Sequence, residues 1–207
     1  MGREVRGGDA LDAGAPVDDV YLVRLAQADP RAFADLYDRY VDPIYRYCYR
    51  RLGNVAAAED ATSTTFFKAL NGLASLDPLA GSFRSWLFAI AHNVVLDQIR
   101  LRQRRPEAPI DLIAERAGSE PSPADQVVQL DERRRLRRAV AMLPDEQQQI
   151  IELRLAGLNG PEIAAALGRS AGSVRTAQHR AIAKLRALLG SDRDGAPNGE
   201  RKETTHG

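Results

Sequence analysis

The sequence predicts an all-α protein: two helical domains joined by a flexible acidic linker, the second carrying a helix-turn-helix. Three observations predict it. Apolar residues recur at spacings of three and four, and no stretch sustains the alternation of a half-buried strand. Residues 106–126, PEAPIDLIAERAGSEPSPADQ, hold four prolines and five acids, a composition that tethers rather than packs. Between 161 and 189 a short helical segment, a glycine and a longer helical segment follow one another at helix-turn-helix spacing.

Each element has a local reason. Residues 1–17, with four glycines and one proline, read as a disordered leader, and the first domain as 18–105. Asp18 or Asp19 caps a helix running to Ala28, and Asp29-Pro30 stops it and caps the next. That second helix places Phe33, Leu36, Tyr37 and Tyr40 on one face. Asp42-Pro43 is expected to kink or break it, after which Ile44, Tyr47, Cys48 and Leu52 repeat the pattern up to Gly53. A third helix runs from Val55 to Leu73 with Ala58, Ala61, Thr65, Phe66 and Ala69 inward. A loop, SLDPLAGS, precedes a fourth helix from Phe83 to Arg104, whose buried face is Phe83, Leu87, Ile90, Ala91, Val94 and Val95.

Within the linker a short helical turn is expected at Leu112–Ala117. The second domain, 127–190, opens with a helix over Asp131–Leu143 that brings Leu136, Val140 and Leu143 together and stops before Pro144. Asp145 and Glu146 favour the start of the next helix, which carries Ile150, Ile151, Leu153 and Leu155 and ends near Gly157. A short helix, Pro161–Leu167, has proline at its first position and Gly168 as its stop. The last helix begins after Ser170 and runs to Leu189 with Val174, Ile182 and Leu185 inward. Residues 191–207 read as a disordered polar tail.

Composition excludes several functions. Among 207 residues there is one cysteine, Cys48, so neither an internal disulfide nor a cysteine-clustered zinc site exists. His92, His179 and His206 are too scattered for a metal site, and no cofactor is expected. No glycine-rich phosphate loop or catalytic triad is present, so the chain does not read as an enzyme. No apolar run approaches the roughly 20 residues of a membrane span, and the start, MGREVRGGDALDAGAPVDD, lacks a signal-peptide core. The chain therefore reads as cytoplasmic, without membrane insertion. Cys48 falls at an inward helical position, which suits a buried thiol better than a redox sensor.

The near balance of 29 Lys+Arg against 28 Asp+Glu hides an asymmetry. Residues 81–105 carry five basic and one acidic side chain, 106–130 one and five, and 131–190 eleven and six. Two basic blocks around an acidic spacer suit a polyanion, although solvated helix faces produce the same pattern.

The last helix is the more specific of the two blocks. A helix-turn-helix sends its second helix into the major groove, with base contacts from its N-terminal residues and phosphate contacts at its flanks. Here the outward positions are Arg169, Ser170, Ser173, Arg175, Thr176, Gln178, His179, Arg180 and Lys184, with no acid among them. Arginine suits guanine, glutamine adenine, and serine or threonine phosphate. On the helix from Phe83, the residues Trp86, Asn93, Asp97, Arg100 and Arg104 fall along one stripe. That stripe fits unpaired bases stacked on an aromatic with cations along the backbone. It equally fits a core tryptophan with arginines complementing a helix C-terminus.

Taken together, the chain resembles a bacterial extracytoplasmic-function (ECF) sigma factor of RNA polymerase, in the sigma-70 family. AFADLYDRYVDPIYRYCYRRLG looks like the start of the family's second conserved region, and AAAEDATSTTFFKAL like its polymerase-docking helix. FRSWLFAIAHNVVLDQIRLRQRR is close to the promoter-melting helix. LPDEQQQIIELRLAGLNGPEIAAALGRSAGSVRTAQHRAIAKLRALL is close to the fourth conserved region. The resemblance covers about residues 20–105 and 127–190, that is, both domains.

The resemblance implies a non-catalytic factor that binds core RNA polymerase, at its β′ clamp and β flap, and directs it to promoter DNA. Domain 18–105 would be region 2, reading the −10 element with Trp86, Asn93, Asp97, Arg100 and Arg104, beside a flipped base near loop Ser75–Ser82. Domain 127–190 would be region 4, reading the −35 element with Arg169, Ser173, Arg175, Thr176, Gln178, His179, Arg180 and Lys184. Polymerase binding would fall to Tyr37, Asp60, Ser63, Thr64 and Phe66. An anti-sigma factor is a further partner common in the family. The sequence departs from the family where Ala61-Thr62-Ser63-Thr64 replace a stretch that usually ends in an amide and a carboxylate, so a charge-assisted clamp contact is missing. Ala177 and Gln178 replace a more usual Arg and apolar residue. The alternative reading is a stand-alone helix-turn-helix regulator, which leaves the Phe83–Arg104 helix without a task.

Overall fold

The computed structural model describes residues 18–104, 132 and 134–191, and every regular element among them is a helix. The first helix, α1, spans Asp19–Ala28 with the Asp18 carboxylate accepting from the Val20 N–H. Asp29 serves both ends of a junction. Its N–H closes α1 on the Leu25 carbonyl, and its side chain caps a 3-10 turn, Pro30–Ala32, that leads into α2, Phe33–Leu52. Of the kink or break expected at Asp42-Pro43, the break does not occur, and α2 runs on through Pro43. A proline inside a helix costs about 3 kcal/mol, and Tyr40, Ile44, Tyr47 and Cys48, buried on both sides of it, offset that cost by packing.

Gly53, at φ 65°, ends α2, and Asn54 caps α3, Val55–Gly72, by accepting from the Ala57 N–H. Leu73 falls into a 3-10 turn, Leu73–Ser75, rather than the helix itself. The last helix of this group, α4, spans Phe83–Arg104. The second group comprises α5 (134–141), α6 (Asp145–Leu155), α7 (Gly160–Leu167) and α8 (Ala171–Ser191). Asn159 and Glu162 form a capping box that starts α7 one residue before Pro161, and Gly168, at φ 63°, stops it. The leader 1–17, the linker 106–126 with its expected turn at Leu112–Ala117, and the tail beyond Ser191 lie outside the described residues.

Two inward assignments need correction. Ile90, Ile182 and Leu185 are half-buried against the core, while Leu136 and Leu155 are 37% and 50% exposed. For Leu155 the reason lies in α6, which is gripped from two sides. It meets α2 on one flank and α8 on the other, so a wide arc from Gln149 to Leu153 is buried and Leu155 falls beyond it.

The two helical groups pack against each other. Leu36, Ile44, Tyr47, Leu87, Phe88 and Val95 of the first share one apolar cluster with Ile150, Leu153, Leu158, Ile163 and Val174 of the second. The seam runs along α4 and α7, with α6 against α2. A smaller cluster of Val140, Leu143, Ile151 and Ala181 holds α5 to α6 and α8. Charge crosses the seam as well. Arg50 Nε donates to the Glu152 carboxylate at 2.9 Å, with the Glu152 side chain 5% exposed. Removing either partner would leave a buried charge unpaired, at a cost of about 3–5 kcal/mol.

Candidate nucleic-acid interface

The stripe on α4 is built from its N-terminus. Ser82 caps the helix by accepting from the Ser85 N–H at 3.4 Å, while the Ser85 hydroxyl returns a bond to the Ser82 carbonyl at 2.8 Å. Phe83 is buried there, its ring 5.5 Å from Tyr40 and 5.6 Å from Trp86. Trp86 is half-buried, and its indole lies over Gly72, where a Cβ would approach Cζ2 to 3.1 Å. Further along the helix, Asn93 and Asp97 are exposed, followed by Arg100 and Arg104. Asp97 and Arg100 form an ion pair at 3.3 Å with both side chains 64% exposed, which water makes nearly free to exchange. The structure thus places the five residues along one open face, with an aromatic seat at the start and cations at the end.

The loop before α4 is braced by a residue that sequence reasoning missed. Gln27 Nε2 donates to the carbonyls of Leu73 at 2.9 Å and Leu76 at 2.7 Å, tying the loop's first half to α1. Asp77 then folds the tip, its carboxylate accepting from the Leu79 N–H at 2.9 Å. Leu79 stands out from that tip, 72% exposed. A lone glutamine in an apolar helix carries no signal of this role.

The second interface is the outer face of α8. Ser170 opens it, its hydroxyl accepting from the Ser173 N–H at 3.2 Å. Val174, Ala177 and Ala181 turn inward, which leaves Ser173, Arg175, Thr176, His179, Arg180 and Lys184 exposed and Gln178 half-buried. Ala177 is therefore a packing position, so the missing arginine there removes no outward cation. Arg169 is already paired with Glu146 at the start of α6. The helix offers hydroxyl, imidazole and guanidinium groups with no carboxylate between Arg169 and Lys184, a set suited to a duplex groove and its phosphates.

The residues assigned to polymerase docking divide in two. Tyr37 is 43% exposed on α2, its ring 4.7 Å from Phe66, while Ser63 is exposed and Thr64 half-buried on α3. Asp60 is exposed and accepts from Gln98 Nε2 at 2.8 Å. Phe66, however, is only 5% exposed, wedged between Phe33 and Tyr37. The outward aromatic is its neighbour Phe67, 68% exposed, which the paired phenylalanines of the sequence did not separate. Thr62 and Thr65 are also turned inward, their hydroxyls each donating to the carbonyl four residues back at 2.7 Å. Of the four residues that depart from the family, only Ser63 and Thr64 reach the surface.

Burial pushes the Cys48 thiol up to about 12, so it stays protonated. Burial raises the Glu152 carboxyl above its usual range against the opposing pull of Arg50. Among the described residues no three His, Cys, Asp or Glu gather to hold a metal, and no helix is long and apolar enough to cross a membrane.

Comparison with known proteins assigns these elements to a family. Residues 36–105 match Sigma-70 region 2 and residues 133–185 match Sigma-70, region 4. The chain is 38% identical over 173 residues to the ECF RNA polymerase sigma factor BldN of Streptomyces coelicolor, covering 83% of this chain and 66% of that relative. It is 35% identical over 181 residues to the ECF RNA polymerase sigma factor SigW of Bacillus subtilis, covering 81% of this chain and 94% of that one. Among solved structures it is similar to CnrH, in complex with the cytosolic domain of CnrY, at 28% identity and a TM-score of 0.64 over 84% of this chain and 98% of that one. The fold is shared with the sigma factor RpoE of Bartonella quintana, at 23% identity and a TM-score of 0.61, over 78% of this chain and 98% of that one. With both conserved regions matched in order, and α4 and α8 at their ends, the chain belongs to the ECF sigma factors of RNA polymerase.

Proposed function

We propose that this sigma factor divides promoter reading between its two exposed stripes, α4 on the −10 element and α8 on the −35 element, while the outer faces of α2 and α3 seat it on core polymerase. One observation carries the reading: α4 offers an aromatic followed by an amide and cations on an open face. That is the arrangement a single strand needs, with bases stacking on the ring and phosphates meeting the arginines. The α8 face supplies the complementary duplex reader, since its Arg175, Thr176, His179 and Arg180 are exposed on the second helix of a helix-turn-helix. The enzyme chemistry stays with the polymerase, and the sigma factor contributes position and strand separation.

The polymerase contacts follow the same logic. Tyr37 and Phe67 are exposed aromatics of the kind that anchor protein interfaces. Ser63 and Thr64 stand beside them as neutral hydrogen-bonding groups. An anti-sigma factor is a further partner of this chain, supported by the related CnrH, which was solved bound to a cytosolic domain of another protein. Run-off transcription of cognate genomic DNA by purified core polymerase, with and without this protein, tests the reading. New discrete transcripts whose start sites align on two shared upstream elements are expected. Absence of transcripts together with failure to co-elute with core would overturn it.

A further inference from the structure

We propose that Gln27, in the last turn of α1, is a positioning residue for −10 reading: its amide fixes the loop from Leu76 to Ser82 in the place from which that loop meets the promoter. The inference rests on the sigma-factor reading above and adds to it a residue that acts through the loop. That loop contains a single turn and no helix, and Asp77, Leu79, Ala80, Gly81 and Ser82 are all exposed. Such a segment moves unless its ends are held. A pocket that takes one unpaired base and refuses the others needs its walls fixed to about 0.5 Å. Where the two ends are tied therefore decides what the loop reads.

One end is tied by the helix it enters. Ser82 caps α4, and Phe83 is buried against Tyr40 and Trp86. The other end leaves a single 3-10 turn, Leu73–Ser75, whose own hydrogen bonding holds weakly. Gln27 supplies what is missing there. A primary amide carries two N–H groups on one nitrogen, so it can donate twice. Gln27 Nε2 lies 2.9 Å from the Leu73 carbonyl oxygen and 2.7 Å from that of Leu76, which gives one hydrogen to each side of the turn. The Leu76 N–H also donates to the Leu73 carbonyl at 3.1 Å, so the three residues close a small ring of hydrogen bonds. The exposed part of the loop starts at the very next residue, Asp77.

The brace is only as firm as α1, and α1 is held from two directions. Leu22, Val23 and Ala26 are buried, and Asp19 accepts from Arg39 at 2.6 Å and from the Tyr40 hydroxyl. The Tyr40 ring lies against Phe83, and Phe83 against Trp86. A single helix thus fixes both halves of the −10 reader, the loop through Gln27 and the aromatic seat through Tyr40. Packing alone does not call for an amide at this place. Gln27 is half-buried, and an apolar side chain of the same length would fit there with no polar group of its own to satisfy. What it would lack is the pair of donors.

Substitutions matched for helix propensity separate the donors from the packing, because glutamine, methionine, lysine and glutamate are nearly equal in a helix. Gln27→Met keeps the length without a donor, Gln27→Lys keeps donors on a longer stem, and Gln27→Glu turns a carboxylate toward the two carbonyls. Run-off transcription by the full chain with core polymerase, at one salt concentration, is compared over promoters altered singly at each −10 and each −35 position. Gln27→Lys should discriminate among −10 variants as wild type does. Gln27→Met should discriminate roughly five- to tenfold less, the size of one net hydrogen bond, and Gln27→Glu least of all. Discrimination at −35 and competition for core polymerase should stay at wild type in all three. Unchanged −10 discrimination in Gln27→Met overturns the proposal, and so does a Gln27→Lys protein as poor as Gln27→Met. A loss spread equally over both elements, or lost helical content by circular dichroism, makes Gln27 a folding residue and overturns it too. Should the wild-type protein give no transcript at all, the sigma reading fails instead, and hydrogen exchange on the free chain decides the brace alone. There, the N–H groups of Leu76, Leu79 and Ala80, each bonded within the loop or its turn, should exchange faster in Gln27→Met and at the wild-type rate in Gln27→Lys. Equal exchange in the three proteins overturns the brace.

Discussion

Tyr47 Oη lies 3.0 Å from His92 Nδ1 in the buried seam between α2 and α4. Burial first, and the nearby Arg51 charge second, hold His92 down to about 4, so the folded protein keeps a neutral imidazole. Burial also pushes the Tyr47 hydroxyl up, so it remains a donor for a ring protonated at Nε2. In the unfolded chain a histidine titrates near 6.5. As pH falls from there to about 4, the unfolded chain binds a proton that the folded one refuses, and stability is lost over that window. Above about 6.5 the contribution is fully present. The whole effect is roughly 3 kcal/mol by linkage. Urea unfolding at pH 7 and pH 4 should show His92→Gln losing less stability on acidification than wild type. An equal loss in the two proteins would sink this account.

Arg175 is exposed on the first half of α8, where a recognition helix meets base edges. Arg175→Ala should reduce discrimination among −35 variants by roughly 1–3 kcal/mol, and mainly at one base-pair position. Lys184, further along the same helix, should behave as a phosphate contact, so its alanine variant weakens all promoters alike and flattens the salt dependence. A panel of promoter variants transcribed at two salt concentrations separates the two behaviours. Unchanged base preference in Arg175→Ala would count against a base contact.

The adjacent phenylalanines of α3 should fail in opposite ways. Phe66, packed edge-on against Phe33 at 6.3 Å and tilted on Tyr37, is a core residue, and Phe66→Ala should destabilise the fold by about 3–5 kcal/mol. Phe67 points to solvent, so Phe67→Ala should leave the melting temperature within the range of a neutral surface change. Its loss should instead weaken competition for core polymerase. Thermal melts beside a competition assay with a labelled sigma factor give both readings. Wild-type affinity in Phe67→Ala would remove it from the docking face.

Helix identity was legible because its causes are local. Asp29 caps a helix within three residues, as Asp18 does from the pair Asp18 or Asp19, and Gly53 and Gly168 stop helices with positive φ, all of which sequence displays. The α4 and α8 stripes were legible for the same reason, since helical period alone decides which residues share a face. What sequence did not display was set by partners far along the chain. Glu152 reads as an ordinary surface acid until Arg50, 102 residues away, is packed against it. Leu155 fits an apolar stripe yet stays exposed, because α6 meets helices on two flanks and its inward arc ends earlier. Pro43 was expected to kink or break α2, and the helix does not break there because the packing of Tyr47 and Ile44 outweighs the local penalty.

Trp86 is the chain's single tryptophan, which makes its seat directly observable. Gly72, the last residue of α3, leaves room for the indole, and a Cβ there would meet Cζ2 at 3.1 Å and Cη2 at 3.6 Å. The φ of Gly72 is −87°, so alanine meets no backbone penalty, and helix propensity favours it by about 1 kcal/mol. Gly72→Ala should therefore leave stability nearly unchanged while tipping the indole outward by a few tenths of an ångström. Emission of the free protein should shift to the red, whereas Gly81→Ala, with nothing within 4 Å, should leave it in place. If the ring stacks on an unpaired base, worth about 1–3 kcal/mol, the tipped seat should also slow promoter opening by several-fold at unchanged affinity for closed duplex. Permanganate reactivity of the −10 thymines, followed in time, reads that step. A red-shifted variant that opens promoters at the wild-type rate would return Trp86 to the role of a core residue.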